Sequence, residues 1–275
     1  MIDPAKVCLF IPGELARFKL KLFNRIGEHI ERQGGRTIRA DHAALDKLPD
    51  DILPIIGAAP YLLPLVRGWR ARGRRWIGWD RGYVRRVFAT WLPRGENGGY
   101  YRWHVNRYQM HSVRKVPADR WKALIPGNSV DPREIVLHPW KPLGRHIVVA
   151  MPSPTYSRSH DGAETWLGQT LRQLRSLTDR PIVVRDKESK KPLQDDLRGA
   201  HCLVAHGSMA AVESVILGCP VFVHPDSAAA LVGRTDLSKI EDPIYPDRMA
   251  WLHSLAYCQF SEPELIDGTL WGLIE

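Results

Sequence analysis

Cysteine is scarce in this chain, and the four present, Cys8, Cys202, Cys219 and Cys258, are scattered with no C-x-x-C pair. That excludes a zinc knuckle and a disulfide framework. Cys8, Cys202 and Cys219 fall in apolar, strand-like runs, where a free thiol behaves as a small buried hydrophobe. No window approaches the roughly 18 apolar residues of a membrane span, so no membrane insertion is expected. The opening "MIDPAKVCLFIP" has no basic stretch followed by a long apolar one, so a signal peptide is not expected either. The default compartment is a reducing cytoplasm. Internal repeats and low-complexity tracts are missing as well.

What the chain does contain is ample apolar material and an uneven charge. Of its 275 residues 44% are apolar, enough for one large α/β domain or two small ones, and ten are Trp. The net charge of +9 is concentrated: from Arg67 to Lys122 fifteen Lys or Arg stand against three acids, Asp80, Glu96 and Asp119. That window alone carries +12, and the remainder is slightly acidic. A local field of this size steers a polyanion without specifying which one.

Apolar periodicity sets the element order. "VCLFIP" reads as a first strand, and Glu14 to Arg32 as a helix with Leu15, Phe18, Leu22, Ile26 and Ile30 on one face. "GGRTIRA" and "DDILPIIGA" supply two further strands, a helix follows from Pro60 to about Arg72, and "RRWIGWD" is the next strand. Strands alternating with helices predict a parallel sheet covered on both faces. Residues 81–145 break the rhythm and read as a basic, aromatic-rich excursion followed by a Pro- and Gly-rich linker. The alternation restarts with "RHIVVAMP" and runs through "DRPIVVRD", "HCLVAH" and "CPVFVHP" to two closing helices. The expected fold class is therefore α/β: two facing, compact Rossmann-like domains, 1–145 and 146–275.

The sharpest local signal is "LVAHGSMAAVESVILGCPVFVHP", where a strand passes into a helix with almost no loop. Gly207 permits the tight turn and Ser208 is a good N-cap. The first N–H groups of that helix have no partner within it and lie at the carboxyl edge of the sheet, where open α/β sheets bind phosphates. Met209 follows the cap, and Ala210 and Ala211 keep the first turn slim. His206 ends the strand at the same edge, and Glu213 lies one turn into the helix. Ser153 and Arg158, with Arg185 and Lys187, fall at the ends of neighbouring strands and complete an anion cradle. Against this stand plainer roles: Glu213 as a solvated helix residue, Ser208 as a cap alone, and Arg185 and Lys187 as members of a surface salt-bridge set with Asp186 and Glu188.

"HGSMAAVESVILGCPVFV" resembles the donor-side motif of GT-B glycosyltransferases, enzymes built of two facing Rossmann-like domains. The resemblance implies that Glu213 holds the ribose of a nucleotide sugar and that Gly207, Ser208 and Met209 lie next to its diphosphate. Residues 1–145 would then be the acceptor side and 146–275 the donor side. The specific motif spans about 20 residues and the general domain likeness about 130. The chain, including "WDRGY", "YYRWHVN" and "LVGRTDLSKIEDPIYPDR", also resembles uncharacterised tailed-bacteriophage proteins, which places it in the host cytoplasm. It departs from the GT-B pattern in its short length and in "VCLFIPGELARF", which lacks a Gly-rich first loop.

The acceptor-side candidates lie in the basic middle. Asp80 closes a strand and is a candidate general base, with His104 the competing base. Arg81, Arg85, Arg86, Tyr101 and Asn106 are the acceptor-binding candidates, because cations interleaved with flat rings suit a nucleic acid or a sugar beside an anionic group. Core packing of the aromatics, Trp76 above all, is the plainer alternative. The implied activity is transfer of a sugar from a nucleotide-sugar co-substrate to an acceptor hydroxyl, with hydroxymethylated phage DNA suggested as the partner and a surface or cell-wall glycan as the alternative acceptor. No further cofactor is implied. No Asp-x-Asp pair follows a donor-side strand, which agrees with metal independence. An epimerase or hydrolase of the same fold, and a non-catalytic nucleic-acid-binding protein, are the rival functions.

Overall fold

The computed structural model describes residues 1–15, 17–84, 99–125, 136–142, 144–186, 189 and 191–274, and for Arg17 and Phe18 the backbone alone. The chain forms two compact units, Met1–Tyr108 with Tyr257–Glu275, and Gln109–Ala256. It starts with β1 (Val7–Ile11), α1 (Arg17–Arg32), β2 (Arg36–Arg39), β3 (Leu53–Gly57), α2 (Leu63–Ala71), β4 (Ile77–Arg81) and β5 (Tyr101–Val105). The second unit holds α3 (Asp119–Leu124), β6 (His146–Ala150), α4 (Pro154–Ser159), α5 (Ala163–Leu177), β7 (Ile182–Arg185) and α6 (Leu193–Asp196). It continues with β8 (Ala200–Ala205), α7 (Met209–Ile216), β9 (Val221–Val223) and α8 (Met249–Tyr257). Finally β10 (Gln259–Phe260) and α9 (Glu262–Asp267) rejoin the first unit.

The first sheet has the order β10-β5-β4-β3-β1-β2, with β2, β1, β3 and β4 parallel and β5 and β10 added antiparallel. β1 is apolar at every position because both of its faces are covered. Val7, Leu9 and Ile11 join Leu22, Phe23, Ile26 and Ile30 of α1, whereas Cys8 and Phe10 pack with Val66, Trp69 and Trp76. Each such side chain, fully buried, contributes about 1.5–3 kcal/mol. The second sheet, β7-β6-β8-β9, is parallel throughout. Its core joins Ile147, Val149, Cys202, Val204 and Phe222 to Leu174 of α5.

The units change at 108/109 and 256/257, not at the expected 145/146. The reason is strand pairing. The supposed excursion contains β5, which lies against β4, and Phe260 of β10 pairs with Tyr101 on its far side. Residues before β6 belong to the second unit: Arg248 donates to the carbonyls of His138 (2.7 Å) and Val215 (2.5 Å) and lies 4.1 Å over the Trp140 ring. The two ends of that unit are tied together. Arg114 N donates to Ser254 Oγ (2.8 Å), Ser254 Oγ donates to Arg114 O (3.1 Å), and Arg120 Nε donates to Ala256 O (3.0 Å).

Candidate functional site

Counted within its own unit, each parallel sheet runs second-first-third-fourth, so strand order reverses beside the first strand. Outside the carboxyl ends of the strands at such a reversal, connections leave in opposite directions and a crevice opens. In the second unit the reversal lies between β6 and β8. Ser153 follows β6 and caps α4, its Oγ accepting from Tyr156 N (3.3 Å). His206, Gly207 and Ser208 follow β8, and Ser208 Oγ accepts from Ala210 N (3.2 Å) at the start of α7. The sequence-predicted Ser153, His206, Gly207, Ser208 and Met209 thus belong to the two connections that flank one reversal.

Register determines what surrounds His206. Ala205 of β8 pairs with Val223 of β9, so the next residues, His206 and His224, stand side by side. Their rings stack at 4.2 Å with a 10° interplanar angle. Tyr156 Oη lies 3.1 Å from His206 Nδ1, Trp166 meets the same ring edge-on at 5.9 Å, and His160 stacks on Tyr156 at 3.8 Å. His206 is 2% exposed. Burial first, then the neighbouring His224 and His160, hold its pKa down to about 4, so the ring is neutral near pH 7.

Gln109 locks the loops. Its Nε2 donates to Gly207 O (2.9 Å) and its Oε1 accepts from Ala228 N (2.9 Å), joining the turn after β8 to the one after β9. Gly207 has no room for a side chain, since a Cβ would lie 2.0 Å from Tyr156 Oη. Tyr156, His160, His224, Trp166 and Gln109 were all missed from sequence. One signal was present: two apolar strands, "LVAH" and "VFVH", each end in His.

The remaining donor-side candidates are distributed differently. Glu213 is half-buried on α7. Arg158 is exposed, with Nε donating to Pro154 O (3.3 Å). Arg185 is committed to Asp196 by an ion pair and to Lys191 O (2.6 Å), a salt bridge with a different acid from the interleaved ones considered in the sequence. Lys187, Arg85 and Arg86 lie outside the described residues.

In the first unit a polar strip runs across β4 and β5. Asp80 opposes Arg102 and Gly78 opposes His104, so alternation puts these side chains on one face. Arg102, with a side chain 4% exposed, lies 2.5 Å from Asp80 Oδ2, whereas Asp80 is 40% exposed. Arg102 also donates to Tyr108 O and Arg81 O, both at 2.7 Å. Tyr83 Oη lies 2.8 Å from His104 Nε2. Asp80 is thus paired with Arg102, and Arg81 N donates to its Oδ1 (2.7 Å). Lys19 of α1 stands 5.7 Å over the Trp79 ring. Burial and the nearby Arg81 lower its pKa against the opposing pull of Asp80.

Two acceptor-side candidates have structural surroundings. Tyr101 is fully buried beside Trp79 and Phe23, because its odd-even position points it to the α1 face. Asn106 adopts a left-handed φ of 61°, and its Oδ1 accepts from Trp76 N (3.0 Å). Side chains of Asn tolerate that conformation and can satisfy a strand end. Among the described residues there is no group of three or more His, Cys, Asp or Glu placed to hold a metal, and no helix long and apolar enough to cross a membrane.

No protein-family profile and no curated protein matches the chain. Among solved structures it is similar to Thermosulfurimonas dismutans KpsC, β-Kdo 2,7 transferase, with a TM-score of 0.55 at 12% identity over 96% of this chain and 98% of that one. The β-Kdo 2,4 transferase of the same protein gives a TM-score of 0.46 at 11% identity over the same shares. The first likeness is one of fold. It agrees with the two Rossmann-like α/β units described above, an architecture of GT-B type.

Proposed function

We propose that this chain is a glycosyltransferase that takes a nucleotide-activated sugar at the β8–α7 junction and passes the sugar to an acceptor hydroxyl. The observation that carries the proposal is the strand-order reversal at β6 and β8, flanked by a capped helix start and a buried, neutral histidine. The amino end of α7, with its helix dipole, receives the phosphate, and Glu213 receives the ribose diol. Ser153 and Arg158 lie on the connection across the reversal. As the bond from the anomeric carbon to the phosphate oxygen breaks, the electron pair leaves with the phosphate. Donors already fixed in the fold stabilise that charge without reorganising.

The acceptor loses its proton to a base of the first unit. Asp80 is the exposed candidate, and the buried His104 stands behind the Tyr83 hydroxyl. The +12 window suits an anionic acceptor, and hydroxymethylated DNA is the proposed one. The similar solved structure is named for transfer of Kdo, so an activated Kdo belongs in the donor panel.

The test is a thermal-shift and calorimetry screen with UDP, GDP, CDP, dTDP and CMP sugars, followed by transfer assays with DNA and with acidic glycans. Donor binding and acceptor-dependent consumption are expected. Consumption without an acceptor would make the protein a hydrolase or epimerase. Tight DNA binding with no response to any donor would make it a nucleic-acid-binding protein, and no DNA affinity at low salt would move the acceptor to a glycan.

A further inference from the structure

We propose that Tyr156 is a positioning residue whose hydroxyl donates to His206 Nδ1, so that the imidazole proton stays on Nε2 and faces a phosphoryl oxygen of the bound ligand. This rests on the donor-site proposal above. The bond to Tyr156 is the hydrogen bond that the His206 side chain makes among the described residues, and Nε2 makes none there. The residue as a whole is 2% exposed, and a ring nitrogen without a protein partner there is a place that a ligand oxygen can take.

The tyrosine is itself fixed. His160 Nδ1 donates to the Tyr156 carbonyl (3.1 Å), and the His160 ring stacks on the phenol at 13°. Gly207 leaves the hydroxyl room against the loop. Stacked on His206 lies His224, whose Nδ1 accepts from Asp226 N (3.3 Å), which fixes its own proton on Nε2 while the ring is neutral. Two imidazoles in parallel contact disfavour a proton on both, and burial keeps His206 uncharged. A neutral imidazole offers one donor and one acceptor. With the proton on Nδ1, Nε2 would turn a lone pair toward an anion and repel it. With the proton on Nε2, the same ring becomes a donor beside the α7 amides, and the second nitrogen's partner decides which form exists.

The experiment is ¹⁵N NMR of histidine-labelled protein near neutral pH, in wild type and in Tyr156→Phe, with inorganic phosphate as the probe. Wild type should show a protonated Nε2 and an unprotonated Nδ1 at His206, and phosphate should shift the Nε2 signal. Tyr156→Phe should show a mixture of tautomers and bind phosphate roughly fivefold more weakly, the loss of about one neutral hydrogen bond. A proton on Nδ1 in wild type overturns the proposal, as does an unchanged tautomer in the variant. A structural role for Tyr156 would move the melting temperature and leave the tautomer alone. If calorimetry finds a nucleotide sugar bound while phosphate and nucleotide leave Nε2 unmoved, this proposal falls and the donor site stands. If phosphate moves Nε2 and no nucleotide binds, the positioning role stands and the donor assignment falls.

Discussion

Acidification should unfold this protein partly through one histidine. In the unfolded chain His206 titrates near 6.5, whereas in the folded protein its pKa is about 4. Between those values the unfolded state binds more protons, so stability falls as the pH drops through that window. Above it His206 contributes no pH dependence, and below about 4 the full difference, about 3 kcal/mol, is lost. From about pH 7.5 to about pH 5 the loss comes to about 2 kcal/mol. Replacing His206 with Asn removes the titration and leaves His224, His160 and every carboxylate in place. Urea denaturation followed by circular dichroism at both pH values, in both proteins, isolates the difference. The variant should lose about 2 kcal/mol less than wild type over that interval. Equal losses would mean that His206 protonates in the fold as easily as in the unfolded chain, and the account of a dry, crowded imidazole would be wrong.

Glu213→Ala should weaken nucleotide-sugar binding by about 1.5–3 kcal/mol with little change in melting temperature; equal affinities by calorimetry would remove Glu213 from the site. Asp80→Asn should leave donor affinity unchanged and slow single-turnover transfer by roughly 10²–10⁴-fold, and transfer at the wild-type rate would end its candidacy as base. The same variant also deprives the buried Arg102 of its charged partner, so its melting temperature should be measured beside the rate. Gly78→Ala would set a Cβ 2.2 Å from the Arg107 carbonyl oxygen, and a loss of about 1–3 kcal/mol is expected by chemical denaturation. An unchanged midpoint would show that the turn after β5 yields easily.

Where the pattern was strong, the sequence was legible. Strands such as "VCLFI" and "HCLVA" are covered on both faces, and an unbroken apolar run signals that directly. The start of α7 was legible for a similar reason, since Gly207 and Ser208 are local requirements of a tight turn and a cap. β5 was hidden because its alternation lasts only five residues, and the burial of its polar side, Arg102 and His104, makes sense only once Asp80 and Tyr83 are beside them. β10 has two residues and no periodicity to read. The histidine stack depended on register between two strands, and the Tyr156 contact on two connections 50 positions apart. Such contacts belong to topology, which local pattern does not encode.

The tie between Arg114 and Ser254 bears on the order in which the chain assembles. β5 must find β10 roughly 160 positions later, across the whole of the second unit. Before that unit forms, the search is one of long-loop closure. Once it has formed, Ser254 holds its two ends together, and the segment left to close shrinks to about 17 residues. Closure entropy grows with the logarithm of length, so the saving is about 2 kcal/mol. The insertion therefore acts as a template for the sheet that encloses it in sequence. Ser254→Ala should slow completion of the first sheet far more than it slows folding of the unit that contains the substitution, a difference that pulsed hydrogen exchange at Arg102 and Trp103 can time.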